Sequence, residues 1–350
     1  MPPSTVHFNG SVNLPDAETV IREIAGRVPD GVRRIPDGEP GDRQNWIFFQ
    51  LQKFWQTPGL EQAPPQSFTE GYEEMPKVRL ADGQDPDAVT WPNLGYADAY
   101  LESYRTFSRL REEGVVTAGT LFQVQYPTPL ASISSWVVEE DQDRLLPSYT
   151  RALFADLDRL LAELPHAEVA VQWDVAVEFG ILEGQFAGNH PRSFDEVVDR
   201  LVECVDHVPA DVPVGLHLCY GDYQHRHFKE PESLELQVRV ANALTERASR
   251  PIRWFAFTVP QYQREVAYFA PIADLRASEE TELYFALVPY HPEDQTPGTT
   301  EEQIRLIDEQ LGGREWGVCT ECGIARCQRD EVAGLLDLHH EIVAGSRVTA

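Results

Sequence analysis

Residues 213–222 read PVGLHLCYGD, a short β-rich run lying between two helical patterns, SFDEVVDRLVECVDHV (193–208) and ESLELQVRVANALTERA (232–248). A strand held between two helices is half of a repeating strand–helix unit, which needs a parallel sheet. Working outward, the same alternation recurs along the chain. Strands are expected over Val6–Val12, Arg33–Glu39, Val115–Phe122, Glu168–Val175, Pro213–Asp222, Ile252–Pro260, Glu282–Tyr290 and Arg314–Gly323. Helical patterns separate several of them: AETVIREIAGRV (17–28), EDQDRLLPSYTRALFADLDRLLAEL (140–164) and TEEQIRLIDEQLGG (300–313). Most open on Ser, Thr, Asp or an acidic first turn, as helix starts do. Eight such pairs predict an α/β (β/α)8 TIM barrel, one domain over residues 1–350. A stretch rich in Pro, Gly and acidic residues, about 56–92, is too long for an ordinary loop after the second strand. It is read as an insertion passing over the barrel mouth.

A chain of 350 residues with 42% hydrophobic content is long enough for such a core. Its 29 basic and 57 acidic residues give a net charge of -28. That charge repels phosphate backbones and anionic lipid, so neither nucleic acid nor membrane is an expected partner. The first fifteen residues have no basic segment followed by an apolar one, and no apolar run approaches a membrane span, so a cytoplasmic location is expected. Cys204, Cys219, Cys319, Cys322 and Cys327 are odd in number and dispersed. They read as free thiols or metal ligands, not as a disulfide framework.

In a barrel of this kind chemistry sits at the C-terminal ends of the strands. The unusual polar residues fall there: Ser11, Asp37 and Glu39, Asp174, His217 with Cys219, His291, and Cys319 with Cys322. His217 and Cys219 are two apart on a strand and so share a face. With Cys322 from the last strand they form a His, Cys, Cys set with a fourth position open, as catalytic zinc requires. Each could instead be a core histidine or an inert buried thiol, and Cys319-x-x-Cys322 could be a redox pair or half of a structural zinc site. No second C-x-x-C completes the latter. Glu39 and Asp174 could be ordinary loop acids, yet Asp174 closes an apolar strand, and two carboxylates at strand ends suit a substrate ammonium group. His225 and His227 read as residues of a polar loop, and His339 and His340 as surface residues of the last helix.

Taken in order, these segments resemble the C-terminal catalytic barrel of cobalamin-independent methionine synthase and its single-barrel relatives, in the uroporphyrinogen decarboxylase and methionine synthase-like superfamily. FNGSVNLP (8–15) is similar to a G-S-x-P strand and carries Gly10 and Ser11. IPDGEPGDRQNW (35–46) resembles the H-G-E-P-E-R-N-D segment and puts Glu39 on the amine-binding glutamate. VTAGTLFQVQY (116–126) resembles the T-G-P segment, which implies Tyr126 as an aromatic substrate face. VQWDV (171–175) is similar to Q-I-D-E-P through Asp174, with Val175 in place of the glutamate. GLHLCYGD matches H-x-C-Y through His217, Cys219 and Tyr220, and TECGIARC resembles P-D-C-G through Cys322. His291, in PYHPED, stands nearest to the catalytic histidine.

The resemblance implies Zn2+ on His217, Cys219 and Cys322, and transfer of an alkyl group, methyl first of all, to a small thiol such as homocysteine. A folate or a methylcobalamin-type compound is the implied donor, Ser11, Glu39, Tyr126 and Asp174 the substrate contacts, and His291 the acid for the leaving group. Two departures stand against a complete match. The family's glutamate ligand would fall in WFAFTVPQ (254–261), which offers no carboxylate, and the chain does not contain the full-length enzyme's N-terminal barrel. Rival readings are thiol addition to an epoxide, carbon–sulfur cleavage, a metal-free uroporphyrinogen decarboxylase-like enzyme using Arg33, Arg34 and Arg43, or a binding protein without catalysis.

Overall fold

The computed structural model describes residues 2–67, 73–185, 190–221 and 226–348. Its strands are β1 (Thr5–Val6), β2 (Arg34–Pro36), β3 (Leu60–Ser67), β4 (Glu74–Leu80), β5 (Leu121–Pro127), β6 (Val169–Val175), β7 (Val214–Leu218), β8 (Trp254–Phe257), β9 (Glu282–Ala286) and β10 (Gly317–Cys319). Eight of them form one parallel sheet in the order β1-β10-β9-β8-β7-β6-β5-β2. The two edges meet: Val6 bridges Val32 in parallel, and its N–H donates to the Gly31 carbonyl at 3.0 Å. The sheet is therefore curled, consistent with a TIM-like barrel.

The helices are α1 (Ala17–Arg27), α2 (Gln50–Gln56), α3 (Tyr96–Glu112), α4 (Pro129–Trp136), α5 (Glu139–Glu163), α6 (Val177–Leu182), α7 (Phe194–His207), α8 (Glu235–Arg247), α9 (Val266–Phe269), α10 (Thr299–Leu311) and α11 (Val332–Val348). Their sequences explain their ends and faces. Ser193 and Glu196 form a reciprocal capping box at the start of α7, and Val197, Val198, Leu201, Cys204 and Val205 make its buried stripe. Every residue of β6 is buried, as in a parallel strand covered on both faces. Among the described residues no helix is long and apolar enough to cross a membrane.

The third strand lies later than the sequence suggests. It is Leu121–Pro127, not 115–122, because Val115 and Val116 belong to the turn that ends α3 while Gln123 and Gln125 are buried strand residues. The first strand is Thr5–Val6, so that only Val6 of the expected 6–12 pairs in it, and the other six lie within their expected ranges but pair over fewer residues. The stretch 56–92 holds the antiparallel pair β3–β4, and Val78 of β4 bridges Val137 just beyond α4. His339 corrects a second expectation. It is fully buried, its Nδ1 is 2.7 Å from the Leu335 carbonyl, its ring packs on Phe8, and burial pushes its pKa down to about 4.

Buried glutamines fix the segment leaving β1. Gln123 Nε2 donates to the Phe8 carbonyl at 2.8 Å, and Gln172 Nε2 donates to the Asn9 carbonyl at 3.0 Å and to Asp174 Oδ1 at 2.9 Å. Such bonds satisfy backbone groups that leave the ladder inside the barrel. They also hold Asn9–Ser11 against the ends of β5 and β6. At the opposite end of the sheet, Arg34 pairs with Glu282 at 2.6 Å and stacks 4.1 Å over Trp254.

Candidate active site

The C-terminal strand ends enclose a cavity of about 110 Å³ whose lining includes Ser11, Glu39, Asp174, His217, Cys219 and Cys322. Six side chains separated by up to 311 positions thus share one space. Register explains part of this: Asp174 of β6 is the direct neighbour of His217 on β7. The approach of the β1 and β10 loops explains another part, because a Cβ on Gly323 would stand 2.1 Å from Ser11 Oγ. Only glycine there lets Cys322 and Ser11 face the same space.

His217 is engaged at both ring nitrogens: Nδ1 is 3.3 Å from Asp174 Oδ1 and Nε2 is 3.0 Å from the Glu321 carbonyl oxygen. Burial acts to lower its pKa, but the Asp174 carboxylate, the Cys322 thiol and the Glu321 carbonyl together raise it. The Cys322 thiol is lowered to about 6, first by a hydrogen bond from Cys219, against its burial, and then by the charges of His217 and Arg326. A thiol with such a value is a thiolate at neutral pH. Cys219 Sγ in turn accepts the Gly221 N–H at 3.3 Å. Tyr290 fixes the last loop by accepting the Cys322 N–H at 2.7 Å.

Glu39 and Trp46 are the two non-glycine residues with positive φ among the described residues, at 52° and 53°, and both line this cavity. Such conformations cost about 1–3 kcal/mol each and collect at sites where geometry matters more than stability. Asp37 holds the turn, its Oδ1 accepting the Glu39 N–H at 2.9 Å and its Oδ2 accepting Arg43 at 2.5 Å and Ser103 at 2.8 Å. Burial, then the nearby Asp174 charge, pushes the Glu39 carboxyl well above its ordinary value, with Arg43 opposing. Asn9 also lines the cavity, 5% exposed, and its Oδ1 finds no hydrogen-bond partner among the described residues. Three oxygen acceptors thus border one space: Asn9 Oδ1, Glu39 and Asp174.

Several expected positions lie elsewhere. Tyr126 corrects the expected aromatic face: alternation along β5 turns its ring toward the helices, where it is fully buried and its hydroxyl donates to Asp156 at 2.9 Å. The aromatic rings at the cavity are Trp46, Phe48, Trp136 and Phe228, which sequence reasoning passed over. The dense run NWIFF (45–49) was the available signal. His291 lines a separate cleft with His227, Glu230, Tyr262 and Glu321, and its Nδ1 is 3.8 Å from Glu293. His227 pairs with Glu321 at 2.6 Å, and His225 lies outside the described residues. Burial pushes the Cys319 thiol up, away from redox reactivity. Of the cations, Arg326 alone among the described residues lines the main cavity, while Arg33 and Arg34 sit at the other end of the sheet and Arg43 is held by Asp37. Among the described residues the main cavity thus has one arginine, not the cluster that a carboxylated macrocycle calls for.

Among the described residues no group of three or more His, Cys, Asp and Glu side chains is arranged to hold a metal ion. His217 Nε2 instead faces the Glu321 carbonyl at 3.0 Å. In kind the donors do fit a thiophilic divalent ion: two sulfurs and an imidazole border one cavity, the imidazole oriented from behind by a carboxylate. Holding such an ion requires His217 Nε2 to leave that carbonyl. In WFAFTVPQ (254–261), which offers no carboxylate, Thr258 donates its hydroxyl to the Leu218 carbonyl at 2.9 Å.

No protein-family model matches the chain, and no curated protein is significantly similar in sequence. Solved structures are similar in fold. A B12-independent methionine synthase from Shewanella sp., in complex with selenomethionine, superposes with a TM-score of 0.65 at 13% identity, covering 100% of this chain and 98% of that one. A putative vitamin-B12 independent methionine synthase from Listeria monocytogenes gives 0.55 at 15% identity, over 93% and 86% of the two chains. A methyltransferase from Methanosarcina mazei gives 0.52 at 12% identity, over 97% and 94%. Over its whole length the chain therefore has the fold of B12-independent methionine synthase-like proteins.

Proposed function

We propose that the chain transfers an alkyl group, in the first instance methyl, to the sulfur of a small amino-acid thiol such as homocysteine. The observation that carries this reading is the single cavity in which a His, Cys, Cys donor set meets Ser11, Glu39 and Asp174. Glu39, Asp174 and Asn9 Oδ1 offer three acceptors to the three N–H donors of an ammonium group. A bound ammonium also keeps Glu39 ionised against its burial. Ser11 adds a hydroxyl at the rim between β1 and β10. Apolar rings on the remaining wall exclude water, which strengthens each of these contacts.

His217, Cys219 and Cys322 are the residues that would hold zinc, with Asp174 fixing the imidazole. When bound, zinc supplies the Lewis acidity that lets a thiol sulfur act as a nucleophile near neutral pH. The chain's own part is orientation: holding the amino end of the acceptor fixes where its sulfur lies relative to the donor. A general acid is not drawn from His291, which opens on a different cleft.

The test is direct. Zinc-loaded protein is incubated with homocysteine, cysteine and a non-amino thiol, each with several methyl donors, and S-methyl products are measured by mass spectrometry. Methylation of the amino-acid thiols, lost in Cys322→Ser, is expected. Absence of any S-alkyl product across the panel contradicts the reading.

A further inference from the structure

The cavity has a second wall that the acceptor does not use. Trp46, Phe48, Trp136 and Phe228 line it together with Met75. They come from three places in the chain: the turn of residues 41–49, the last residue of α4, and the loop after β7. Phe48 meets Trp136 edge to face at 5.3 Å, and Phe228 stacks on Tyr220 at 5.5 Å, so Phe48, Trp136 and Phe228 are each braced by another ring. Trp46 is put there at the cost of a strained backbone, φ 53° and ψ -121°.

The charge at this wall is as informative as its rings. Its neighbours include two carboxyl groups, Glu39 and Asp174, the His217 imidazole that Asp174 faces, and one guanidinium, Arg326, which is already within 3.2 Å of the Gln44 carbonyl. The whole chain carries -28. A donor bearing carboxylates or phosphates would meet repulsion here and would find one arginine to pair with. Aromatic faces beside carboxylates are instead the recognition chemistry of alkylated cations, whose diffuse charge is attracted to ring quadrupoles.

We infer that the alkyl donor is a small methyl sulfonium cation held by the rings of Trp46, Phe48, Trp136 and Phe228. The inference rests on the thiol-alkylation reading above for its acceptor. The acceptor thiol loses its proton to solvent, and its sulfur attacks the methyl carbon. One S–C bond forms, the S–CH3 bond of the sulfonium breaks, and its electron pair returns to the departing sulfur. A cation and a thiolate become two neutral thioethers, with no oxidation or reduction. Charge annihilation of this kind is favoured where water is excluded.

Binding is tested apart from turnover. Tryptophan fluorescence of the full-length zinc-loaded protein is titrated with tetramethylammonium and with uncharged 3,3-dimethylbutan-1-ol of similar bulk. The cation is expected to bind about tenfold or more tightly, the scale of one to two desolvated cation–ring contacts. Trp136→Leu, or Phe48→Leu should the first variant fail to fold, is expected to remove that preference while zinc content stays the same. In the turnover arm, trimethylsulfonium with homocysteine should yield methionine and dimethyl sulfide. Equal binding of cation and alcohol, or a preference unchanged in both variants, overturns the inference, while methylation from another donor would leave the thiol reading standing. Selective cation binding with no thiol methylated by any donor sustains the ring site and overturns the thiol reading.

Discussion

His217 Nδ1 lies 3.3 Å from Asp174 Oδ1, and the same oxygen accepts Gln172 Nε2 at 2.9 Å. The carboxylate is thus tied to the barrel interior on one side and to the imidazole on the other. A ligand imidazole braced in this way normally loses about 10–100-fold in metal affinity when its partner is changed. Asp174→Asn is expected to do this in a chelator-competition assay for zinc. Unchanged affinity would mean that Asp174 does not serve the ring.

Glu39→Gln should weaken binding of an amino-acid thiol by about 1.5–3 kcal/mol, the range for hydrogen bonds to charged groups, and leave a thiol without an amine unaffected. Calorimetric titration of both ligands decides it, and equal losses for both would contradict the assignment. The same variant has a stability signature. Burial holds the folded carboxyl well above its ordinary value, so between that value and the unfolded one the folded chain binds the extra proton. Stability of the natural chain must then fall as pH rises through that window. The glutamine variant should melt higher than the natural chain at about pH 8, and the difference should shrink toward about pH 4.

Tyr126→Phe separates core from site. Asp156, 7% exposed, loses a donor, which costs about 1–3 kcal/mol and lowers Tm. KM for either substrate should not move. A raised KM with unchanged Tm would return Tyr126 to the substrate.

His291→Ala tests the separation of the two clefts. Loss of a general acid typically lowers the rate by about 10²–10⁴-fold. With His291 lining the neighbouring cleft, kcat for thiol methylation should change far less, and a loss of that size would place it in the chemistry.

Much of this was legible from period and position. The helices at 17–27, 139–163, 194–207, 235–247 and 299–311 fall within a few residues of their expected ranges, because their apolar stripes and acidic first turns are local signals. The strand at 121–127 is hidden in the sequence because Gln123 and Gln125 look solvated, whereas inside the barrel Gln123 bonds to the loop from β1 and Gln125 faces Gly10. The run around His339 shows a helical period but not its packing, and so reads as surface. The ring wall is not legible in the sequence because Trp46, Trp136 and Phe228 are distant along the chain, and only folding brings them together. The same holds for Glu321, whose carbonyl occupies His217 Nε2.

Metal analysis of protein purified without added metal tests the central claim most directly. About one zinc per chain is expected, lost in Cys219→Ser and in Cys322→Ser, with X-ray absorption showing two sulfurs, one imidazole nitrogen and a light atom, and a third sulfur when homocysteine is added. Zinc retained in both variants, or a protein that methylates thiols with no metal bound, would contradict the account.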